Sequence, residues 1–193
     1  MTQRSPSRAA TPNKPGALAV FTIGHSTRTI AEFVTLLRAG QVQRVVDIRR
    51  MPRSRTNPHY NIDVLPGELA HYQIDHMRIA ELGGLRKKLD EPPETNGFWI
   101  NRSFHNYADY ALTEEFQRGF ACLLQVSAEQ RTAIMCAEAV WWRCHRRIVA
   151  DYLINAGRDV YHLMDTDEVH AATLSSGAVR AGGKLHYPAS GSD

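Results

Sequence analysis

The chain has 193 residues and a formal charge of +3. That length supports one domain with a sizeable core, and so slight a positive charge does not by itself mark a nucleic-acid binder. No apolar run nears the roughly 20 residues that a membrane-spanning helix needs, and no secretory h-region follows the basic N-terminal residues. The three cysteines show no framework spacing, so free thiols and a reducing, cytoplasmic setting are expected, with no membrane partner.

Residues 1–16 are rich in Ser, Pro and Thr with little to bury, which predicts a disordered tail. A domain is expected over residues 17–165. Leu18 to Ile23 is a short apolar run ending at Gly24, the pattern of a buried strand. Thr29 and Glu32 form a capping box ahead of a helix whose apolar face is Ile30, Phe33, Val34 and Leu37, with Gly40 as its stop. Val42 to Ile48 is a second apolar run with Asp47 near its end. Strand, helix and strand in about 30 residues make a βαβ unit with parallel strands.

Arg49 to Asn61, RRMPRSRTNPHYN, carries four Arg and two Pro. Pro52 and Pro58 exclude a regular element, and the polarity predicts a surface loop. Asp63 is placed to cap a helix with Leu65, Leu69 and Tyr72 on one face, and Ile74 to Ile79 predicts a short strand. Glu81 to Gly84 is a turn, and Arg86 to Phe104 is loop-like, broken by Pro92-Pro93 and Asn96-Gly97. Helical patterns follow at Tyr107 to Tyr110 and, capped by Thr113, up to Val126. Thr132 to Cys136 is a buried strand that hands over to a helix closed by Gly157, and Asp159 to Met164 is a last strand. Residues 166–193 are weakly patterned and predict a weakly structured tail. Alternating strands and helices predict an α/β fold: one domain, a mainly parallel twisted sheet of four to five strands, flanked by helices.

The reactive side chains cluster in the strand-to-helix turn from Cys136 to Arg147. Cys136 and Glu138 are two apart at a strand end and should face the same way. A cysteine in such a turn suits a thiolate nucleophile, although the spacing from Cys136 to Arg143 is one residue longer than in cysteine phosphatase loops, and a small buried hydrophobe there is the plainer reading. Glu138, past a buried strand, needs a partner such as Arg143 or Arg146, or a raised pKa. Arginines opening a helix oppose its dipole, which argues for an anion or carboxylate at the turn. Cys136, Cys144 and His145 invite a zinc reading, with His25 or His76 as a further ligand, but the gap between the cysteines is wrong for structural zinc. His25-Ser26 after the first strand and Asp47-Arg49 after the second should open on the same sheet edge as Glu138 and His145, because parallel strands carry their outgoing loops to one edge.

The motifs IGHST, DIRRMPRSRTNPHYN, ELGGLR, YADYALTEEF and MCAEAVWWRCHRRIVADYL, in this order over Phe21 to Leu163, resemble the family called domain of unknown function 488. The resemblance implies an α/β domain and a signature of Cys136, Glu138, Trp142, Arg143, Cys144, His145 and Arg146. His59-Tyr60-Asn61 stands where relatives carry Pro, an aromatic residue and Asn.

These readings converge on an enzyme acting on an anionic, phosphate-bearing substrate, a nucleotide or nucleic acid. Cys136, Glu138, His145 and Asp47 are the candidate catalytic groups. His25, Ser26, Arg49, Arg53, Tyr60, Trp142, Arg143 and Arg146 are the candidate binding groups, joined in the loop by Arg50 and Arg55. The alternatives are a nucleic-acid-binding module that stacks bases on Tyr60, Trp99, Trp141 and Trp142, or a metal site at Cys136, Cys144 and His145. No cofactor is expected.

Overall fold

Five strands run parallel in one sheet: β1 (Val20–Gly24), β2 (Arg44–Asp47), β3 (Asp75–Arg78), β4 (Thr132–Cys136) and β5 (Val160–Leu163). This is a computed structural model, which describes residues 18–165 and 169–189. A sixth strand, β6 (Val169–Ala171), joins β5 antiparallel, and the order is β3-β2-β4-β1-β5-β6. The mainly parallel α/β sheet is as expected, with one strand more. β1 and β2 are parallel but do not pair, because β4 lies between them. Every residue of β1 and β4 is buried, whereas β3 has none. The most apolar strands take the centre, where both faces are covered.

Alternate residues of the strands feed two cores. Phe21, Ile23, Val45, Ala133 and Met135 pack with helices α1 (Ile30–Ala39) and α2 (Leu65–Ala70). Val20, Val46, Ile48 and Ile134 pack with α3 (Arg102–Ala111), α4 (Glu114–Glu129) and α5 (Arg146–Asn155). The capping box of Thr29 and Glu32 forms as read, and Thr113 Oγ1 accepts from the Phe116 N–H at the start of α4. Asp63 does not cap α2. Its carboxylate pairs instead with Arg53 at 3.3 Å.

The expected weakly structured tail is corrected over residues 169–189. Besides β6 it forms a hairpin of β7 (Val179–Ala181) and β8 (Lys184–His186), turning through Gly182 and Gly183 at φ +56 and +79. Leu185 and Tyr187 are fully buried against the α3–α5 core. The Tyr187 hydroxyl donates to Asp151 on α5 at 3.0 Å, and its N–H donates to Asn96 at 3.0 Å. Two buried anchors thus fix a segment in which other apolar residues, such as Val169 and Val179, are exposed, which is why its pattern is faint. The expected disordered stretch 1–16 lies outside the described residues. Helix α3 also starts earlier than the loop-like reading allowed, because Asn101 caps it by accepting from the Ser103 N–H.

Candidate functional site

Registers place three turns side by side. Gly24 pairs with Cys136 and Asp47 with Met135, so β1, β2 and β4 end at one level. The turns are then stitched together: the His25 N–H donates to Cys136 O at 3.0 Å, Ser26 N–H to Ala137 O at 2.9 Å, and Ile48 N–H to Met135 O at 3.0 Å. Beyond them opens a cleft of about 310 Å³ whose walls include Arg49, Arg50, Glu138, Arg143, Cys144 and His145. Arg49 and Glu138 therefore share one cleft, as the parallel topology demanded. Cys136 is at its floor, and Met51, Leu85, Phe104 and Tyr107 form an apolar wall.

The floor is a sulfur pair held by a buried guanidinium. Cys136 Sγ and Cys144 Sγ are free thiols 2.7 Å apart. Arg146 is fully buried on the first turn of α5. Its Nη1 donates to the carbonyl of Glu138 and to Cys136 Sγ, and its Nη2 to the carbonyl of Ala139 at 2.8 Å. Among the described residues no carboxylate pairs with it, and its Nε has no partner. An unpaired buried cation costs several kcal/mol, which favours ionisation of a thiol beside it. Burial pushes the Cys136 thiol well up. Burial also opposes ionisation of Cys144, but the Cys136 thiol, the Arg146 guanidinium and the Arg146 backbone N–H together outweigh it and hold Cys144 below the usual thiol value. The first N–H of α5 points at Cys144 Sγ at 3.5 Å, so the helix dipole acts in the same sense. Of the two thiols, Cys144 is therefore the more readily ionised. The arginine-rich helix start thus faces an ionisable thiol of the protein itself.

His145 completes this floor. Its Nε2 lies 3.1 Å from Ile48 O, which only accepts, so Nε2 carries the proton. Nδ1 is then an acceptor 3.6 Å from Cys144 Sγ. Burial lowers the His145 pKa, keeping the ring neutral near neutral pH. Nucleophile, base and an orienting carbonyl are in sequence, the arrangement that activates a thiol.

A second cluster lies behind the cleft, toward α1 and α2. Arg49 donates through Nε to Asp47 Oδ1 at 2.9 Å and through Nη2 to Asp47 Oδ2 and Tyr60 O, both at 2.6 Å. Asp47 is fully buried and Arg49 nearly so. His25 donates from Nδ1 to Ser26 O at 2.9 Å, which leaves Nε2 to accept from Arg49 Nη1 at 3.2 Å. Burial lowers the His25 pKa to about 4, so the ring is neutral. It stacks on the fully buried Tyr60, whose hydroxyl donates to Arg28 O at 3.1 Å.

The structure thus separates the candidates. Cys136, Glu138, Arg49, Arg143, Cys144 and His145 reach the cleft. Asp47 does not; its carboxylate is committed to Arg49. His25, Tyr60 and Arg146 are buried supports, and the expectation that the loop from Arg49 is too polar for the core fails at Arg49 and Tyr60. Ser26 is a turn residue at φ +50 that accepts through its carbonyl. Arg53 points away to Asp63. Trp142 is 47% exposed but outside the cleft wall. Of the other stacking candidates, Trp99 is buried under Arg147, and Trp141 is stacked on His162 at 4.3 Å. Glu138 is exposed, and among the described residues it forms no ion pair with Arg143 or Arg146; Arg146 takes its carbonyl instead. The described residues hold no group of three or more His, Cys, Asp or Glu set to bind a metal, and the Arg146 charge lies against Cys136, where a cation would be repelled.

The sequence profile of the family described as "Domain of unknown function DUF488" matches residues 29–153, well over half of the chain. The chain belongs to the DUF488 family. No curated protein and no solved structure matches it. In this DUF488 chain the signature around Cys136 divides its labour: Cys136 and Cys144 are the sulfur pair, Arg146 donates to Cys136, His145 faces Cys144, and Glu138 and Arg143 are exposed at the cleft. Sequence reading missed the opposite wall of Gly84, Leu85, Phe104 and Tyr107. Its signal was the motif ELGGLR: a Cβ on Gly84 would lie 2.7 Å from His145 Nδ1, so only glycine lets the imidazole pack there. Leu85 is 75% exposed at φ +56, an uncommon conformation for a side-chain-bearing residue and one that presents it at the cleft rim.

Proposed function

We propose that this DUF488 domain is an enzyme that acts on a small anionic substrate, most simply a phosphate-bearing one such as a nucleotide, in the cleft beyond β2 and β4. One observation carries this reading: Arg50, Arg143 and Glu138 line the cleft with exposed side chains that, among the described residues, no ion pair takes up, beside the buried thiols of Cys136 and Cys144. Two guanidinia with free donors suit an anion. Glu138 is the acid/base, and the sulfur pair supplies the nucleophile, with His145 taking its proton. Met51, Leu85 and Phe104 offer an apolar wall for the uncharged part of the substrate. Four of the aromatic and cationic groups that a nucleic-acid-stacking module would use are committed inside the fold, namely Tyr60, Trp99, Trp141 and Arg146, which favours the enzyme.

The test is binding of inorganic phosphate and a nucleotide panel, with turnover assayed alongside. The double variant R50M/R143M should lose most phosphate affinity with the fold intact. E138Q should keep binding and lose turnover by about 10²-fold or more, the usual contribution of a positioned acid/base group. Phosphate affinity unchanged in R50M/R143M sinks the reading.

A further inference from the structure

We propose that Cys136 and Cys144 are a redox-active dithiol that reduces a small peroxide and closes into a disulfide across the cleft floor. This does not rest on the anionic-substrate reading. The sulfurs lie 2.7 Å apart, so reaching a bond length of about 2.05 Å takes a shift of under about 1 Å, within side-chain adjustment. Both cysteines line the cleft while only 1% and 3% exposed. A small peroxide enters such a site, whereas a folded protein disulfide does not. Arg146, fully buried and without a carboxylate partner among the described residues, donates to Cys136 Sγ and so favours a thiolate when one forms at the pair. His145 presents its Nδ1 acceptor to Cys144 because Nε2–H is committed to Ile48 O. Cys122, on α4 and away from Arg146, has none of these features and serves as an internal reference.

The chemistry closes. The Cys144 proton passes to His145 Nδ1, and the thiolate attacks one peroxide oxygen. The S–O bond forms and the O–O bond breaks. The departing oxygen takes the proton from His145 and leaves as water or an alcohol. Cys144 is now a sulfenic acid. The Cys136 thiol attacks its sulfur, the S–S bond forms, the S–O bond breaks, and the oxygen leaves as water with the Cys136 proton. The dithiol has lost two electrons and the peroxide has gained them. Cys144 attacks and Cys136 resolves, because it is Cys144 that faces the His145 Nδ1 acceptor and the first N–H of α5.

The full chain, reduced and freed of reductant, is treated with one equivalent of hydrogen peroxide, alkylated and mapped by mass spectrometry. Before alkylation the expected product is monomeric and about 2 Da lighter; after it, the peptides of Cys136 and Cys144 are linked and Cys122 is alkylated. C136S should stop at a Cys144 sulfenic acid that dimedone captures. In C144S, Cys136 should react no faster than Cys122. Should either variant fail to fold, the wild-type linkage and its rate relative to Cys122 decide alone. Cys136 and Cys144 both alkylated after peroxide, a link through Cys122, or oxidation no faster than that of Cys122 overturns the proposal.

Discussion

Replacing Asp47 with Asn separates a structural from a catalytic role for that carboxylate. Asp47 is fully buried and is the ion-pair partner of Arg49, which is itself 6% exposed. Its oxygens receive the Arg49 backbone N–H, Nε and Nη2. In D47N the shape is kept, but the charge goes and an amide N–H₂ faces guanidinium donors. Breaking one side of a buried pair costs about 3–5 kcal/mol, because the other charge stays buried and unpaired. The remaining Arg49 contacts, to Tyr60 O and His25 Nε2, are neutral and do not replace a carboxylate. Urea denaturation should therefore show D47N less stable by about 3–5 kcal/mol. Replacing both partners, D47L with R49M, should recover more than half of that loss, since no charge is then stranded. A D47N loss under about 1 kcal/mol would refute the argument and return Asp47 to the list of free acid/base candidates.

Three further outcomes are expected. Gly24→Ala puts a Cβ 1.8 Å from Glu138 O, the carbonyl that Arg146 binds. Overpacking of about 1–3 kcal/mol and a disturbed buried acceptor of similar cost should together destabilise the fold by more than about 2 kcal/mol, read by thermal or urea unfolding. Gly84→Ala pushes on His145 Nδ1 and should slow alkylation of Cys144 while leaving Cys122 unchanged; an unchanged ratio of the two rates removes His145 from the thiol's proton path. Burial lowers His25 to about 4 and His162 to about 3, both below the unfolded value of 6.5. Groups depressed in the folded state leave the unfolded chain binding more protons below pH 6.5, so stability is present above that pH and falls as pH drops toward 4. The slope is about 1.4 kcal/mol per pH unit for each histidine, and unfolding free energies that stay flat between pH 6.5 and 4.5 would contradict it.

By itself the sequence determined the frame and the place of the cleft. Short apolar runs, the capping box at Thr29 and the cap at Thr113 are local signals, and short-range sterics and hydrogen bonding enforce them wherever the chain goes. Parallel topology follows from strand-helix-strand order, and it brought the turns after β1, β2 and β4 to one edge before any coordinate was known. What the tertiary structure alone decided is which charges face in. Arg49 and Arg146 read alike in sequence with Arg50 and Arg143. Two are buried on Asp47 and on the sulfur pair, and two are exposed at the cleft. That choice rests on carbonyls and side chains more than one element away, such as Tyr60 O for Arg49 and Ile48 O for His145. The same holds for the segment around Leu185 and Tyr187. Its docking on Asp151 and Asn96 depends on a buried hydrogen-bond geometry that no periodicity announces.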